Sequence, residues 1–426
     1  MIHGRTSAIR SVRPSCEALA RRARGAAEEL RRTTPSQRTA AIQAMATRLR
    51  READEVLEAN RVDLGEAERE GLGEAKLDRL RLDERRLEDV AVGIELVAAL
   101  PDPVGEVFDE RRGPTGIRVR RVRVPIGVLF MIFEARPNVT AEAAALCLRS
   151  GNAILLRGGR EMAHSSRAIG ECLRAALDRE GLPLDTVQMV DGGHDAVDEL
   201  LRMDRYIDLV IPRGGESLIR TVVRKSRIPV IKHYKGNCHI YVDRAADERM
   251  ALDVVVNAKV QRPATCNAAE KLLIHEEIAR SYLPSIARRL EEAGVRLRGD
   301  ESARSIHPPI APASAEDWSQ EYLDLVMAVR IVADVDEAIR HIAIHGSGHT
   351  DAIITEDEEV ARKFLAEVDA SSVMWNCSTR LADGGQYGLG AEIGISTDRL
   401  HARGPMGAEE LTCLKWVVMG TGQVRE

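Results

Sequence analysis

From residue 126 onward the chain alternates short, almost wholly apolar runs with amphipathic stretches, and this alternation limits the possible fold more than any other feature. "IGVLFMIFEA" leads into helical residues from about Thr140 to Arg149, and "NAILLRGG" into a helix over Ser165 to Arg179. "TVQMV", "IDLVIPRGG" and "IPVIKH" continue the series, with "SLIRTVVRKS" helical between the last two. A strand that is apolar on both sides needs cover on both sides, so the pattern predicts a parallel sheet flanked by helices. It resumes after Cys266 with "KLLIH", "AVRIV", "DAIITED" and "SVMWN", which makes two α/β units in tandem. A length of 426 residues agrees, being too great for one ordinary core.

The first hundred residues read as helices. Ile42, Met45 and Leu49 recur at helical spacing, as do Leu87, Val90, Ile94 and Val97, with Pro35 near one start and Pro101 and Pro103 closing the block. "GIRVRRVRVPIG" alternates apolar and basic residues, which predicts an exposed ribbon whose charges form a solvated face. The tail "LKWVVMGTG" is a last strand-like piece. A net charge of −6 gives no reason to expect nucleic acid as a partner. The N-terminal arginines are followed by no long apolar segment, so neither a signal peptide nor a membrane span is expected and the location is read as cytoplasmic. Seven cysteines, at 16, 147, 172, 238, 266, 377 and 413, show no CxxC pair or metal-type spacing. Free thiols and no metal site are the expectation.

Four segments carry candidate chemistry. Cys266 follows "RPAT", where Pro263 suggests a turn, and precedes a helix-like "NAAE"; a thiolate at a helix N-terminus is stabilised by the dipole and free amides. From the residues alone, a nucleophile and a buried space-filler are equally good readings of it. "EARPNVT" ends an apolar run, where parallel sheets place ligands. There Asn138 is either a helix cap or a donor to a developing oxyanion. "LLRGGRE" offers Arg157, Gly158, Gly159 and Arg160: a tight turn, or a close backbone approach with guanidinium groups for phosphate. "IPRGGES" repeats the design with Gly214 and Gly215 ahead of a helix. The GxGxxG dinucleotide fingerprint is missing.

In this order the segments resemble the aldehyde dehydrogenase superfamily, from about residue 15 to the C-terminus. Seven motifs carry the resemblance: "VPIGVLFMIFEARPNVT", "GNAILLRGG", "IPRGGESLIR", "VIKHYKGNCHIYVD", "QRPATCNAAE", "GSGHTDAIITED" and "NCSTRLADGGQYGLGAEIGIST". They are most similar to the branch that reduces an acyl phosphate. The resemblance implies an α/β, aldehyde dehydrogenase-like fold with two Rossmann-type parallel-sheet domains and a small β oligomerisation element. It implies N-terminal helices and an NADPH-binding domain over 1–261, a catalytic domain over 262–400, and an oligomerisation tail over 401–426 that joins the ribbon at 116–124. A homo-oligomer would cover exposed sheet edges.

The same resemblance implies the chemistry. Cys266 would attack L-glutamyl 5-phosphate and expel phosphate, and the thioester would accept hydride from NADPH to give L-glutamate 5-semialdehyde, the second step of proline biosynthesis. Asn138, with the cysteine amide, would hold the oxyanion. Arg157 falls where relatives carry a lysine near the adenosine ribose, and Arg160 where NAD-specific members carry a glutamate. Gly214 and Gly215 match the glycine-rich turn at the cofactor helix, and Glu321 the glutamate on the nicotinamide ribose. "GLGAEIGIST" is similar to the loop closing the substrate side.

One departure is informative: hydrolytic members carry a water-activating glutamate where this chain has His233 or a neighbour in "KHYKGN". Lys232, His233, Lys235 and Arg136 are then candidates for the anionic substrate. The rival readings are another phosphate- or CoA-releasing member, an inactive scaffold of the same fold, and a fused synthase, against which no kinase-like segment precedes residue 15. Association with glutamate 5-kinase, the source of the substrate, is a further expectation.

Overall fold

The computed structural model of the chain describes residues 14–425. Compactness divides it into two units. The first comprises the chain up to Ile211, Val222–Val230 and the segment from Thr412; the second comprises Pro212–Thr221 and Ile231–Leu411. These edges differ from the functional division expected at 261/262, because residues 231–261 supply a strand and a helix to the second unit's sheet.

The first unit opens with five helices: α1 (Cys16–Leu30), α2 (Pro35–Arg51), α3 (Ala53–Arg69), α4 (Glu74–Leu80) and α5 (Glu84–Ala99). α2 starts where Thr34 and Gln37 cap each other reciprocally and Pro35 fills the first turn. Its Ile42, Met45 and Leu49 are wholly buried, as are Ile94 and Val97 of α5. Each such side chain contributes about 1.5–3 kcal/mol. β1 (Val107–Arg112) and β2 (Arg118–Pro125) form an antiparallel ribbon. A four-stranded sheet follows, built from β3 (Val128–Phe133), β4 (Ala153–Gly158), β5 (Val187–Met189) and β6 (Leu209–Arg213) in the order β5-β4-β3-β6. α6 (Asn138–Arg149), α7 (Ala163–Arg179), α8 (His194–Leu200) and α9 (Glu216–Lys225) intervene as the alternation predicts. β3 is buried at every residue.

The expected strand at "IPVIKH" reduces to a single bridge between Val230 and Val210. Pro229 has no N–H to give a ladder and contributes only its carbonyl, to Val210.

The second unit holds a seven-stranded, all-parallel sheet. Its elements are β7 (Cys238–Val242), α10 (Glu248–Val260), β8 (Ala269–His275), α11 (Glu276–Glu292), β9 (Arg296–Gly299), α12 (Glu301–Ile306), β10 (Ala311–Pro312), β11 (Val326–Val332), α13 (Val335–His345), β12 (Thr350–Ile354), α14 (Glu358–Glu367) and β13 (Ser372–Trp375). The order β10-β9-β11-β8-β7-β12-β13 puts β8 and β7 at the centre, buried along their whole lengths. β14 (Ile395–Ser396) and β15 (Gly404–Pro405) make a small clip.

β16 (Thr412–Met419) returns to the first unit and pairs with β2 through eight registered residues. The arginines of this ribbon are not a bare basic stripe. Arg118 and Arg120 pair with Glu110, Arg123 pairs with Glu106, and Arg121 lies over the rings of Phe108 and Trp416. Among the described residues no helix is long and apolar enough to cross a membrane.

Candidate active site

Cys266 occupies a turn between α10 and β8, closed by the Ala268 N–H on the Thr265 carbonyl at 3.0 Å. The helix expected after it is absent: Ala269–His275 is a central strand, so the thiol does not stand at the N-terminus of a following helix. The charges at Glu270 and Lys271 disguise that strand in the sequence, yet both are wholly buried. The turn is clamped from several sides. Asn267 donates to the Ala382 carbonyl at 3.0 Å and accepts from Arg380. The buried Cys238 thiol donates to the Cys266 carbonyl at 3.2 Å, and burial pushes its pKa well above the ordinary range. Gly236 passes so close that a Cβ there would overlap the Cys266 carbonyl. Only glycine fits. The Gly236 N–H donates to Glu321 Oε1 at 2.7 Å, and burial raises the Glu321 pKa.

Glu321 lies in a segment without regular structure that β8 holds from beneath. Lys271 Nζ donates to the Gln320 carbonyl at 2.7 Å, and the Glu270 carboxylate accepts the N–H groups of Tyr322 and Leu323 at 3.2 and 3.3 Å. Glu270 also pairs with the fully buried Lys259 at 3.2 Å. Burial raises the Glu270 pKa and lowers those of Lys259 and Lys271, the last to about 7.

Two histidines stand beside the cysteine. One ring nitrogen of each of His233 and His349 and the Cys266 Sγ lie within 4.8 Å of one another. His233 Nδ1–H donates to the Ile395 carbonyl at 3.0 Å. His349 is fully buried, with Nδ1 2.9 Å from the Thr350 hydroxyl, and burial lowers its pKa to about 4. The lysines expected near the substrate already have partners: Lys232 pairs with Asp398 at 2.6 Å, and Lys235 donates to the Ser319 carbonyl at 2.7 Å. In "GLGAEIGIST", Glu392 accepts from the Gly384 N–H at 2.9 Å, and burial raises its pKa against the nearby Arg213. The Gly214–Gly215 pair is exposed between β6 and α9, the strand–glycine–helix arrangement expected.

In the first unit, Asn138 is the first residue of α6 rather than its cap; Pro137 takes the cap position, and the Asn138 amide donates to Glu142 at 3.1 Å. The loop before it is tight, with Ala135 at φ 43°. The Ala135 N–H donates to Glu161 at 2.7 Å, and a Cβ at Gly159 would displace that carboxylate. The Arg136 N–H contacts Met162 Sδ at 3.3 Å. Arg157 donates to the Gly158 carbonyl at 2.9 Å, while Arg160 is 88% exposed and pairs with Glu70 at 3.2 Å. Gly158 faces the Ser166 hydroxyl, 3.0 Å from where a Cβ would sit.

Reading the sequence alone did not single out Gly236, His349 or the Lys259–Glu270–Lys271 network. His349 stands inside "GSGHTDAIITED", but a histidine before a strand carries no chemical signal until its neighbours are known.

The chain matches the aldehyde dehydrogenase family over residues 8–325. It is 54% identical over 409 residues to the gamma-glutamyl phosphate reductase of Caulobacter vibrioides, covering 96% of this chain and 99% of that one. To the gamma-glutamyl phosphate reductase of Thermodesulfovibrio yellowstonii it is 51% identical over 383 residues, 90% of this chain and 92% of that one. The solved structure of gamma-glutamyl phosphate reductase from Thermotoga maritima superposes with a TM-score of 0.95 at 47% identity, covering 97% of this chain and all of that one.

Proposed function

Because this chain belongs to the aldehyde dehydrogenase family and, like the gamma-glutamyl phosphate reductases, reduces L-glutamyl 5-phosphate to L-glutamate 5-semialdehyde in proline biosynthesis, we propose that Cys266 is the nucleophile and NADPH the reductant. The observation that carries the assignment is the construction of the cysteine turn. Asn267, Cys238 and Gly236 each fix the backbone at Cys266, while the side chain itself stays half-buried. Three of the other cysteines, Cys147, Cys172 and Cys238, are buried with pKa values raised by desolvation, which suits packing and not nucleophilic attack.

The Cys266 thiolate adds to the acyl carbon, the bond to phosphate breaks, and the glutamyl group is held as a thioester. A bound nicotinamide dinucleotide supplies hydride to that carbonyl. Cys266 then leaves as thiolate with the semialdehyde released. The Asn138 amide is assigned to the oxyanion. Within "KHYKGN" no carboxylate is available to activate water; His233 stands there instead, with its Nδ1–H engaged on Ile395. The missing carboxylate favours reduction of the thioester over its hydrolysis.

For the cofactor, the residues fit. Arg157, Gly158, Gly159 and Arg160 at the exit of β4 and the exposed Gly214–Gly215 turn are assigned to its phosphates and adenosine ribose, and Glu321 to the nicotinamide ribose. Arg160 supports NADPH over NADH, since its exposed pair with Glu70 is weak and leaves the guanidinium available to a 2′-phosphate. The substrate side is assigned to Arg136, Lys232, His233 and Lys235, with the Lys232 charge already matched by Asp398.

The functional division runs over 1–261 for cofactor binding, 262–400 for catalysis and 401–426 for assembly, in the cytoplasm. The β1–β2–β16 ribbon exposes Phe108, Trp416 and Val418, which supports pairing with a second copy. Association with glutamate 5-kinase completes the reading and is checked by co-sedimentation. The direct test is NADPH oxidation with glutamyl phosphate generated in place by that kinase and ATP. Oxidation that persists without the kinase or ATP would overturn the reading.

A further inference from the structure

Positions 233, 266 and 349 are too far apart in sequence to read as a metal motif, yet the fold gathers one thiol and two imidazoles at one point. We propose that His233, Cys266 and His349 form a reversible inhibitory site for a borderline-soft divalent cation of the zinc type. Thiolate and imidazole together are the ligand set such ions prefer over Mg²⁺ or Ca²⁺. Zn–S and Zn–N bonds of about 2.3 and 2.0–2.1 Å set ligand separations of roughly 3.3–3.6 Å in a tetrahedron. The three atoms, within 4.8 Å of one another, reach that spacing by side-chain movements on the order of 1 Å.

The environment is prepared for a cation. His349 Nε2 is buried without a hydrogen-bond partner among the described residues, a state that costs free energy unless something occupies it. His349 Nδ1 lies 2.9 Å from the Thr350 hydroxyl and His233 Nδ1 is bound to the Ile395 carbonyl, the outer contacts that fix an imidazole with Nε2 as ligand. The half-buried Cys266 leaves a fourth position to solvent. Coordination occupies the sulfur that would attack the acyl carbon and lowers its nucleophilicity, so metal and acyl substrate compete for Cys266.

That consequence for activity rests on the nucleophilic reading of Cys266; the binding itself does not. The experiment uses the full chain, freed of metal by chelation, titrated with Co²⁺ and followed by its absorption. One equivalent per chain, with a thiolate-to-cobalt charge-transfer band and tetrahedral ligand-field bands, is expected, with Zn²⁺ displacing the cobalt. Cys266→Ser should abolish the charge-transfer band. His349→Ala and His233→Ala should each weaken Zn²⁺ binding at least about tenfold, since even outer contacts of metal ligands cost 10–100-fold. Absence of the band, or unchanged affinity in both histidine variants, overturns the site. If the band forms while turnover continues at full rate, the site stands and the nucleophilic reading of Cys266 falls.

Discussion

Replacing Glu270 with Gln tests whether the buried charges beneath β8 hold the Glu321 segment. The substitution keeps the volume but leaves Lys259, itself fully buried, facing a neutral amide. It also puts an NH₂ group among backbone donors, those of Tyr322 and Leu323, that now point at a carboxylate. Breaking a buried pair by removing one partner costs about 3–5 kcal/mol. An independent ceiling comes from letting the lysine shed its proton: from an unfolded pKa near 10.4, neutralisation at pH 7 costs about 4.6 kcal/mol. The two figures agree.

The sign of the pH dependence follows from the same step. With Lys259 neutral in the folded variant, the unfolded chain binds more protons, so the variant recovers stability as pH rises. The deficit against the parent should shrink by up to about 1.4 kcal/mol per unit between pH 7 and 9. Urea unfolding of both proteins at pH 7, 8 and 9 reads this, with Trp318 fluorescence reporting near the segment. The Michaelis constant for NADPH should rise, because the Tyr322 and Leu323 N–H groups lose their carboxylate acceptor and residues 320–323 keep only the Lys271, Gly236 and Asp317 contacts. A deficit below about 1 kcal/mol, or one that does not change with pH, would refute a charged network and leave ordinary packing.

Cys266→Ala should abolish turnover while leaving folding and NADPH binding intact, measured by circular dichroism and fluorescence titration; substantial residual activity would remove the thioester mechanism. Asn138→Ala should slow turnover by ~10²-fold or more, the scale of one lost oxyanion donor, and a near-normal rate would reduce Asn138 to the Glu142 contact. Arg160→Glu should erode the preference for NADPH mainly through its Michaelis constant, and an unchanged ratio would move the discrimination to Arg157. His341 is buried, and desolvation first, then His239, His345, Arg330 and Lys271, push its pKa down to about 2. Its folded pKa lies below the unfolded value of about 6.5, so its contribution is complete above that pH and is lost as pH falls, by about 2 kcal/mol at pH 5. His341→Asn should lose correspondingly less stability between pH 7 and pH 5, and equal losses in both proteins would show that His341 titrates normally.

The fold was legible where burial is two-sided. Apolar runs such as those at β3, β4, β11 and β12 announce themselves because apolar residues dominate them, with few charges such as Arg157, Arg330 and Asp351 interrupting. β7 does not stand out by this pattern, and the first residues of β8 read as helical, since Cys238, His239, Glu270 and Lys271 make central strands look polar. Those residues are tolerated because each finds a buried partner: His239 meets Asp351 at 3.1 Å, and Glu270 meets Lys259. Partners distant in sequence leave no local trace. The same holds for the site. Cys266, Asn138 and Glu321 stand in quotable motifs, whereas Gly236 matters only because the Cys266 carbonyl lies against it. His349 matters because folding brings it beside the thiol.

The most direct test of the central claim is mass spectrometry of the Cys266 peptide after mixing the enzyme with L-glutamate 5-semialdehyde and NADP⁺ in phosphate-free buffer at fixed ionic strength, so that screening is unchanged. A glutamyl thioester should accumulate on that peptide alone and discharge when phosphate or arsenate is added. Steady formation of glutamate without phosphate, or acylation at a residue other than Cys266, would contradict the account.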